Sequence, residues 1–230
     1  INDQLFTLQT ESDILGAPFD DSKMIVTDGV YSNVGLRKYF AAYSGADQTF
    51  TFPMGTSGKY TPAKLTYSNI DNLGYIRINN INDNHPGVLD EDNVLDYYWE
   101  VESDGIEGFN GNLLFNYLDE DVEVTGTNTE ADYIAAALLL PGTSWSKRGK
   151  DKVDETNNTV TFNFAGTNSL SGEFTAGIDD ALPDNVPEFT SIDDGDWSDP
   201  DNWERTAGDE YNLTGAPNGF IIVIDSDDEV

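Results

Sequence analysis

Residues 35–79 carry the clearest strand pattern of the chain and read GLRKYFAAYSGADQTFTFPMGTSGKYTPAKLTYSNIDNLGYIRIN. Short runs of alternating, β-branched and aromatic residues cover 35–40, 48–52, 63–68 and 75–79, and clusters of Gly, Asn, Asp and Pro separate them. Alternation with a period of two predicts strands with one buried face, and the clusters predict tight turns. In the turn Phe52-Pro53-Met54-Gly55, Pro53 fixes φ and Gly55 is expected to adopt a positive φ. The stretch therefore predicts consecutive antiparallel strands.

The same pattern extends along most of the chain. Further strand candidates are 5–9, 23–27, 95–101, 111–117, 135–140, 158–164 and 172–177. Strands at intervals of roughly ten residues are typical of a sandwich. We expect an all-β chain, an immunoglobulin-like antiparallel β-sandwich with flanking strands or β-helix-like segments at both ends. Residues 130–140 also suit a short helix, but Pro141 and Gly142 follow at once, which favours a strand or a strand after a short turn.

Prolines and a change of composition divide the chain into three predicted regions. Pro183 and Pro187 bracket polar residues after the last sandwich strand, and the composition changes beyond them. We expect leading strands in 1–34, the β-sandwich in 35–184, and an Asp- and Trp-rich segment with a terminal strand in 185–230. The last region is expected to pair with the leading strands or with a neighbouring copy.

The charge of the chain limits its partners. Among 230 residues, 11 are basic and 43 acidic, which gives a net charge of −32. Such a field repels phosphate backbones and anionic lipid headgroups, so we expect no nucleic-acid partner. The mutual repulsion of the carboxylates suits a saline or calcium-containing exterior. Cysteine is absent, so thiol nucleophiles and thiolate metal sites are excluded.

No membrane insertion is expected, because no run approaches the roughly 18 apolar residues of a membrane-spanning helix. Residues 1–10 lack the basic start and apolar run of a secretion signal. We expect the chain to be a mature or excised segment.

The terminal strand is a candidate subunit contact. It is one strongly apolar run, followed by acidic residues. A short apolar strand is not stable alone and needs a partner edge. We expect that edge to come from a neighbouring copy or module, and the contact residues are Phe220, Ile221, Ile222, Val223 and Ile224.

The Asp-rich loop before this strand is a candidate calcium site. Calcium takes six to eight oxygen ligands from flexible loops, and this loop supplies alternating carboxylates beside Gly195. The candidate ligands are Asp193, Asp194, Asp196, Asp199 and Asp201. Their spacing does not match the EF-hand loop, so a solvated acidic loop is the alternative. Two weaker candidates are the clusters at 90–92 and 119–121.

The tryptophans give a second hypothesis of function. The flat face of an indole suits a pyranose ring, so Trp197 and Trp203 are candidate contacts to surface glycans. Packing in the core or in a cap is the alternative for these two and for Trp99 and Trp145.

Catalysis has no positive signal in the sequence. With 43 acidic residues a pair of carboxylates can always be chosen, so carboxylate pairs do not indicate a glycosidase. The only histidine, His85, lies in the turn sequence Asn82-Asp83-Asn84-His85-Pro86-Gly87 and is expected in a surface loop. Residues 105–111 have no basic residue, unlike a phosphate-binding loop. We predict a protein that is not an enzyme.

Two sets of motifs resemble a known family. The first is Asp194-Gly195-Asp196-Trp197, then Trp203, Gly215-Ala216-Pro217 and the strand 220–224, and it resembles the Gly-x-Trp…Trp…Gly-x-Pro opening of repeats in large Bacteroidetes extracellular proteins. The second set is similar to the sandwich that continues such repeats. It comprises residues 25–29, 36–39, 50–55, 60–62 and 97–99, then Trp145, Gly166, 169–177 and Leu182-Pro183.

This resemblance implies a type IX secreted surface protein of adhesin or filament type. The opening motif lies at the C-terminus here and its continuation at the N-terminus, which implies a head-to-tail order of modules. We therefore expect a non-catalytic structural or adhesive module, extracellular and at the cell surface, that forms a surface fibre or repeat array by strand complementation. A glycan-binding module of a secreted protein is the alternative.

Overall fold

The computed structural model describes residues 5–27, 34–140, 144–185, 188–192, 196–207 and 221–224. In these ranges the chain is all-β, and the only helical elements are single 3-10 turns. The strands, in chain order, are β1 (Leu5–Leu8), β2 (Ile25–Val26), β3 (Gly35–Phe40), β4 (Tyr43–Phe52), β5 (Met54–Thr56), β6 (Lys59–Tyr60), β7 (Ala63–Ile70), β8 (Gly74–Ile81), β9 (Tyr98–Asp104), β10 (Phe109–Asn116), β11 (Ile134–Leu139), β12 (Trp145–Gly149), β13 (Val153–Asp154), β14 (Thr159–Thr167), β15 (Gly172–Gly177), β16 (Glu188–Ser191), β17 (Trp203–Ala207) and β18 (Ile221–Val223).

Two sheets form a sandwich. The larger sheet has seven strands in the order β1-β3-β8-β9-β15-β11-β12, and the smaller has five in the order β13-β14-β10-β7-β4. All neighbours in the two sheets pair antiparallel except β1 and β3. The expectation of an all-β chain built from antiparallel sheets is confirmed.

Aromatic side chains fill the space between the two sheets. The indole of Trp99 in β9 stacks on the ring of Phe115 in β10, with centroids 4.8 Å apart, and Phe162 in β14 lies edge-on to Phe174 in β15, also at 4.8 Å. Each of these four side chains is at most 1% exposed. Alternation along the strands brings them together, because every second residue of each sheet faces the partner sheet.

A second, smaller core lies on the outer face of the larger sheet. Ile134, Ala136 and Leu138 of β11 point away from the partner sheet and pack against Trp145 and Leu182. The loop before β9 joins this layer through the N–H of Leu89, which donates to the carbonyl of Ala181 at 2.8 Å. These loops therefore cover one end of the sheet that would otherwise expose apolar side chains.

Of the two leading strands, β1 belongs to a sheet of the sandwich, although the predicted division began the sandwich at residue 35. β1 pairs in parallel with β3, with Leu5 opposite Gly35 and Leu8 opposite Lys38. β2 pairs in parallel with β5 in a small three-stranded sheet with β6. The side chain of Leu8 in β1 is buried in the main core.

The role of Gly55 also differs from the expectation. Gly55 lies in β5 and is not among the glycines with positive φ; the turn that follows places Gly58 at φ +82°. A side chain is excluded at Gly55 for another reason, because a Cβ there would lie 1.9 Å from the carbonyl oxygen of Lys59. Close approach of the paired strand β6, not a left-handed conformation, requires this glycine.

Residues 130–140 form a 3-10 turn followed by β11, which is the strand after a short turn that the sequence favours. Residues Pro141 and Gly142, which were predicted to end the element, lie outside the described residues.

The C-terminal strands form a separate three-stranded sheet in the order β17-β16-β18. β16 pairs antiparallel with β17 and parallel with β18, with Phe189 opposite Ile222. Phe189 and Trp203 are buried, whereas Val223 is 41% exposed and Ile224 50%. The sheet therefore buries Phe189 and Trp203 and leaves Val223 and Ile224 exposed at its β18 edge.

No helix among the described residues has the length and apolarity to cross a membrane.

Candidate functional site

Two aspartates of the predicted calcium loop, Asp196 and Asp199, hold local turns. Oδ1 of Asp196 accepts the backbone N–H of Ser198 at 2.9 Å and its hydroxyl at 2.8 Å, and Oδ1 of Asp199 accepts the N–H of Asp201 at 3.0 Å. The backbone bond from Ser198 is the main cause that lowers the pKa of Asp196. These carboxylates therefore serve as caps of a turn and of a short 3-10 segment.

Only part of the predicted calcium loop is described. Asp193 and Asp194 lie outside the described residues, as does the neighbouring Gly195. Within the described ranges, no three His, Cys, Asp or Glu side chains are grouped so that they could hold a metal ion. Calcium binding by the complete loop stays a prediction.

The two weaker acidic clusters also have structural partners. Oδ1 of Asp90 accepts the N–H of Asp92 at 3.1 Å, at the start of a 3-10 turn. Asp121 is fully buried, and its Oδ1 lies 2.5 Å from Nζ of Lys59. Burial raises the pKa of Asp121, and the hydrogen bond from Lys59 opposes that rise. Because Lys59 already neutralises Asp121, this carboxylate is a poor candidate for a metal ligand.

The tryptophans predicted as glycan contacts pack against each other. The ring of Trp203 lies edge-on to that of Trp197 at 4.9 Å, and its indole N–H donates to the carbonyl of Trp197 at 3.2 Å. Trp203 is 6% exposed, whereas Trp197 is half-buried. Trp99 and Trp145 are buried in the two cores. Trp197 is therefore the one tryptophan of the chain that is not buried.

His85 is not in a surface loop, and the expectation is wrong on this point. Its ring is 2% exposed and lies between Tyr98 and Trp145, with centroid distances of 4.8 Å and 4.7 Å. The turn sequence predicted the loop correctly, but the loop folds onto the outer face of the larger sheet. Nothing local in the sequence indicates that covering contact.

The terminal strand finds its partner within the C-terminal region. β18 pairs with β16, and not with the leading strands, which are engaged in the sandwich. Phe220 lies outside the described residues, as does the side chain of Ile221. Ile222 is half-buried, and Val223 and Ile224 are exposed. The expectation that this strand needs an edge from elsewhere therefore requires correction, while Val223 and Ile224 are accessible to a contact.

Among the described strands, four lie at edges of the sandwich, and they differ in how well they are protected against pairing with another strand. β13 has two residues and β1 has four. β12 has five and carries Lys147 and Arg148. Nζ of Lys147 lies 3.0 Å from Asp179 and 2.9 Å from Asp184. Short length and lysine residues are the usual means by which proteins prevent edge-to-edge pairing.

β4 lacks these protections. It has ten residues, YSGADQTFTF, of which only Asp47 is charged, and residues 44–49 are exposed in succession. Its inner edge pairs with β7, and no strand in the described part of the chain pairs with its outer edge. A shift of register between Ser44 and Gln48 leaves residues 48–52 as the regular portion. The sequence predicted this strand, but not that it lies at an edge.

Comparison of the chain with protein-family models, with curated proteins and with solved structures finds no match.

Proposed function

We propose that this chain is a non-catalytic structural or adhesive module of an extracellular surface protein, and that modules associate edge to edge through strand complementation. The observation that carries the proposal is the long outer edge of β4, with which no strand in the described part of the chain pairs. A long edge strand offers a row of unpaired backbone N–H and C=O groups, and an added strand satisfies them with a linear set of hydrogen bonds.

The contrast between the edges supports one preferred direction of assembly. β12 carries cations that oppose pairing, while β4 carries threonines and phenylalanines with high strand propensity. β4 lies at one side of the smaller sheet, and the sheet has only the two-residue β13 at the other side. Pairing of β4 with β4 alone would close a symmetric dimer, so an open array requires a second, different contact surface on each module.

The C-terminal sheet offers a second contact between modules. Ile192, Val223 and Ile224 are 53%, 41% and 50% exposed. Parallel strand pairs are usually covered on both faces, so the exposed apolar side chains beside the β16–β18 pair are suited to contact with a further β-layer. The predicted head-to-tail order of modules would bring such a layer to this face.

The net charge of the chain supports an extracellular location in which salt or divalent cations are present. Copies that each carry −32 repel one another, and salt or divalent cations reduce that repulsion. An immunoglobulin-like relationship of the sandwich, type IX secretion, and calcium bound by Asp193, Asp194, Asp196, Asp199 and Asp201 are parts of this proposal.

Electron microscopy of the purified protein in physiological salt, with millimolar calcium and with a chelator, tests the proposal. We expect chains or fibres whose length increases with protein concentration and decreases on chelation. Single particles of uniform size at every concentration, with and without calcium, would contradict it.

Glycan binding at Trp197 is the second candidate, and the partial exposure of this ring favours it. A glycan array compares the wild type with Trp197→Ala. Binding that Trp197→Ala abolishes would support it, and equal signals from both proteins would exclude this tryptophan.

A further inference from the structure

A cavity of about 530 Å³ lies on the side of the sandwich where β3 and β4 meet the segment that follows β1. One wall is formed by residues 10–14, and the other by the β3–β4 connection, the middle of β4 and Tyr67 of β7. Known small-molecule sites span roughly 300–1,000 Å³ and combine apolar walls with a few polar groups. The volume of this cavity suits a ligand of one or two rings.

The wall made by residues 10–14 is held in place by a buried lysine. Lys38 is 4% exposed, and its Nζ donates to the carbonyls of Gln9 at 2.6 Å, Thr10 at 2.7 Å and Ser12 at 2.8 Å. An ammonium has three N–H donors, so these three bonds use all of them. Lys38 therefore fixes the shape of the cavity and has no donor left for a ligand.

Aromatic rings form the opposite wall in a fixed arrangement. Phe40 lies edge-on to Phe50 at 6.0 Å and to Tyr67 at 5.5 Å, and Tyr43 lies edge-on to Tyr67 at 5.7 Å. The hydroxyl of Tyr43 donates to the carbonyl of Ala46 at 2.6 Å, which fixes that ring. Phe50, Tyr43 and Tyr67 are only half-buried, so parts of their surfaces are open to a ligand.

The polar groups of the lining are mainly acceptors. Glu11 and Asp13 supply exposed carboxylates, and Thr10, Ser12 and Thr49 add hydroxyls. Carboxylates are acceptors only and form strong bonds with hydroxyl donors, whereas hydroxyls both donate and accept. Rings beside carboxylates and hydroxyls match a ligand with one apolar face and a rim of hydroxyl groups.

The charges in the cavity decide between ligand classes. Two carboxylates repel an anion. A cation would meet the Lys38 ammonium, which already lies 5.8 Å from the Phe40 ring centroid and 5.6 Å from that of Phe50. Repulsion between the two cations opposes the attraction from Glu11 and Asp13. A neutral polyhydroxylated ligand meets neither penalty.

We propose that this cavity binds a neutral pyranose unit of a glycan, which stacks on the aromatic wall and donates hydroxyl hydrogen bonds to Glu11 and Asp13. The site is separate from Trp197 and does not require assembly through β4. Binding here would give the module an adhesive role in addition to its structural one.

Ligand-observed NMR on the full chain, at a concentration at which it sediments as a monomer, tests the proposal. The probes are neutral methyl hexopyranosides and their disaccharides, with sialic acid and methylammonium as the anionic and cationic comparisons. We expect saturable binding of at least one neutral sugar, and neither comparison ligand binding more tightly. Glu11→Gln and Asp13→Asn are each expected to weaken binding by about tenfold, because each removes a charged acceptor.

Asp47→Asn is the matched control, because Asp47 is an exposed carboxylate on β4, which contributes to the cavity wall, but does not itself line the cavity. It and Trp197→Ala should bind as the wild type does, and unchanged unfolding midpoints of Glu11→Gln and Asp13→Asn exclude a folding defect. The proposal is overturned if no neutral sugar saturates, if methylammonium or sialic acid binds more tightly, or if Asp47→Asn weakens binding as much as Asp13→Asn.

Discussion

Nε2 of His85 lies 2.8 Å from Oε2 of Glu173 in β15, and Nδ1 of the same ring lies 2.9 Å from the backbone nitrogen of Gly87. The Gly87 N–H can donate only to a nitrogen without a proton, so the ring proton is on Nε2 and is donated to Glu173. His85 thereby links its own turn to the larger sheet. The adjacent Gly87 carbonyl accepts the Trp145 indole N–H at 3.1 Å, which ties the turn to β12 as well.

His85→Ala is expected to destabilise the protein by about 2–3 kcal/mol, because it leaves the buried Gly87 N–H unpaired and opens space beside Trp145. His85→Asn should lose less, since its side-chain oxygen can accept the Gly87 N–H. Urea unfolding measures both, with Asn82→Ala at an exposed position of the same loop as the control. A loss below about 0.5 kcal/mol for His85→Ala would show that this linkage contributes little.

Lys38→Met is expected to loosen the segment after β1. The substitution keeps an unbranched apolar chain beside Phe40 and Phe50 but removes the ammonium and its three hydrogen bonds to backbone carbonyls. Burial lowers the pKa of Lys38, so loss of the buried charge offsets part of the cost, and we expect about 1–3 kcal/mol. Hydrogen exchange should accelerate in residues 5–14 in particular. Equal protection there in Lys38→Met and in the exposed-site control Lys64→Met would contradict the anchoring role.

Alanine substitutions at Gly55 and Gly58 compare the cost of a steric clash with the cost of backbone strain. Gly55→Ala places a Cβ 1.9 Å from the Lys59 carbonyl oxygen and should cost about 3 kcal/mol or more, since backbone must move. Gly58→Ala meets open space but keeps φ near +82°, and should cost about 1 kcal/mol. Thermal unfolding of the two variants measures the difference. The reverse order of stabilities would disprove this assignment.

Mild acid is expected to stabilise the fold. Burial raises the pKa of Asp121 and of Asp96 above the usual 3.8, and that of Glu123 above 4.5. A folded state that holds a proton more tightly than the unfolded state gains stability as the pH falls through the folded pKa towards those values. Protonation also reduces the repulsion within a chain of charge −32.

At lower pH the sign reverses. Desolvation raises the pKa of Glu102, but hydrogen bonds from Tyr75 and Arg77 outweigh it and hold this pKa below 4.5. The stability that Glu102 contributes is present above 4.5 and is lost as the pH falls through its folded pKa. Urea midpoints should therefore increase as the pH falls from 7 towards the unfolded pKa values of the acidic groups and decrease below those values. A steady decrease from pH 7 downwards would contradict the assignment.

Local pattern predicted individual strands well. The runs 35–40 and 172–177 coincide with β3 and β15, because alternation and flanking turn residues fix such elements locally. The strand predicted at 95–101 is only partly correct, because the observed strand begins at Tyr98. Leu95 is fully buried and forms an isolated bridge to Val122.

Long-range pairing could not be predicted. The parallel register of β1 on β3, the burial of His85 by its own loop and the edge position of β4 each depend on contacts between distant segments. A single sequence has no local signal for such contacts. Among the predicted site residues, Trp203 was a cap and not an exposed platform for the same reason: its partner Trp197 covers it.

Sedimentation velocity of the wild type, Thr51→Lys and Thr66→Lys over a range of concentrations tests edge-to-edge association most directly. Thr51 is exposed on the edge strand β4, whereas Thr66 lies one strand further in, on β7, with both edges paired. Lysine on an edge strand opposes pairing. We expect concentration-dependent oligomers for the wild type and for Thr66→Lys, and monomers for Thr51→Lys. Monomers for the wild type, or equal association of all three proteins, would contradict assembly through β4.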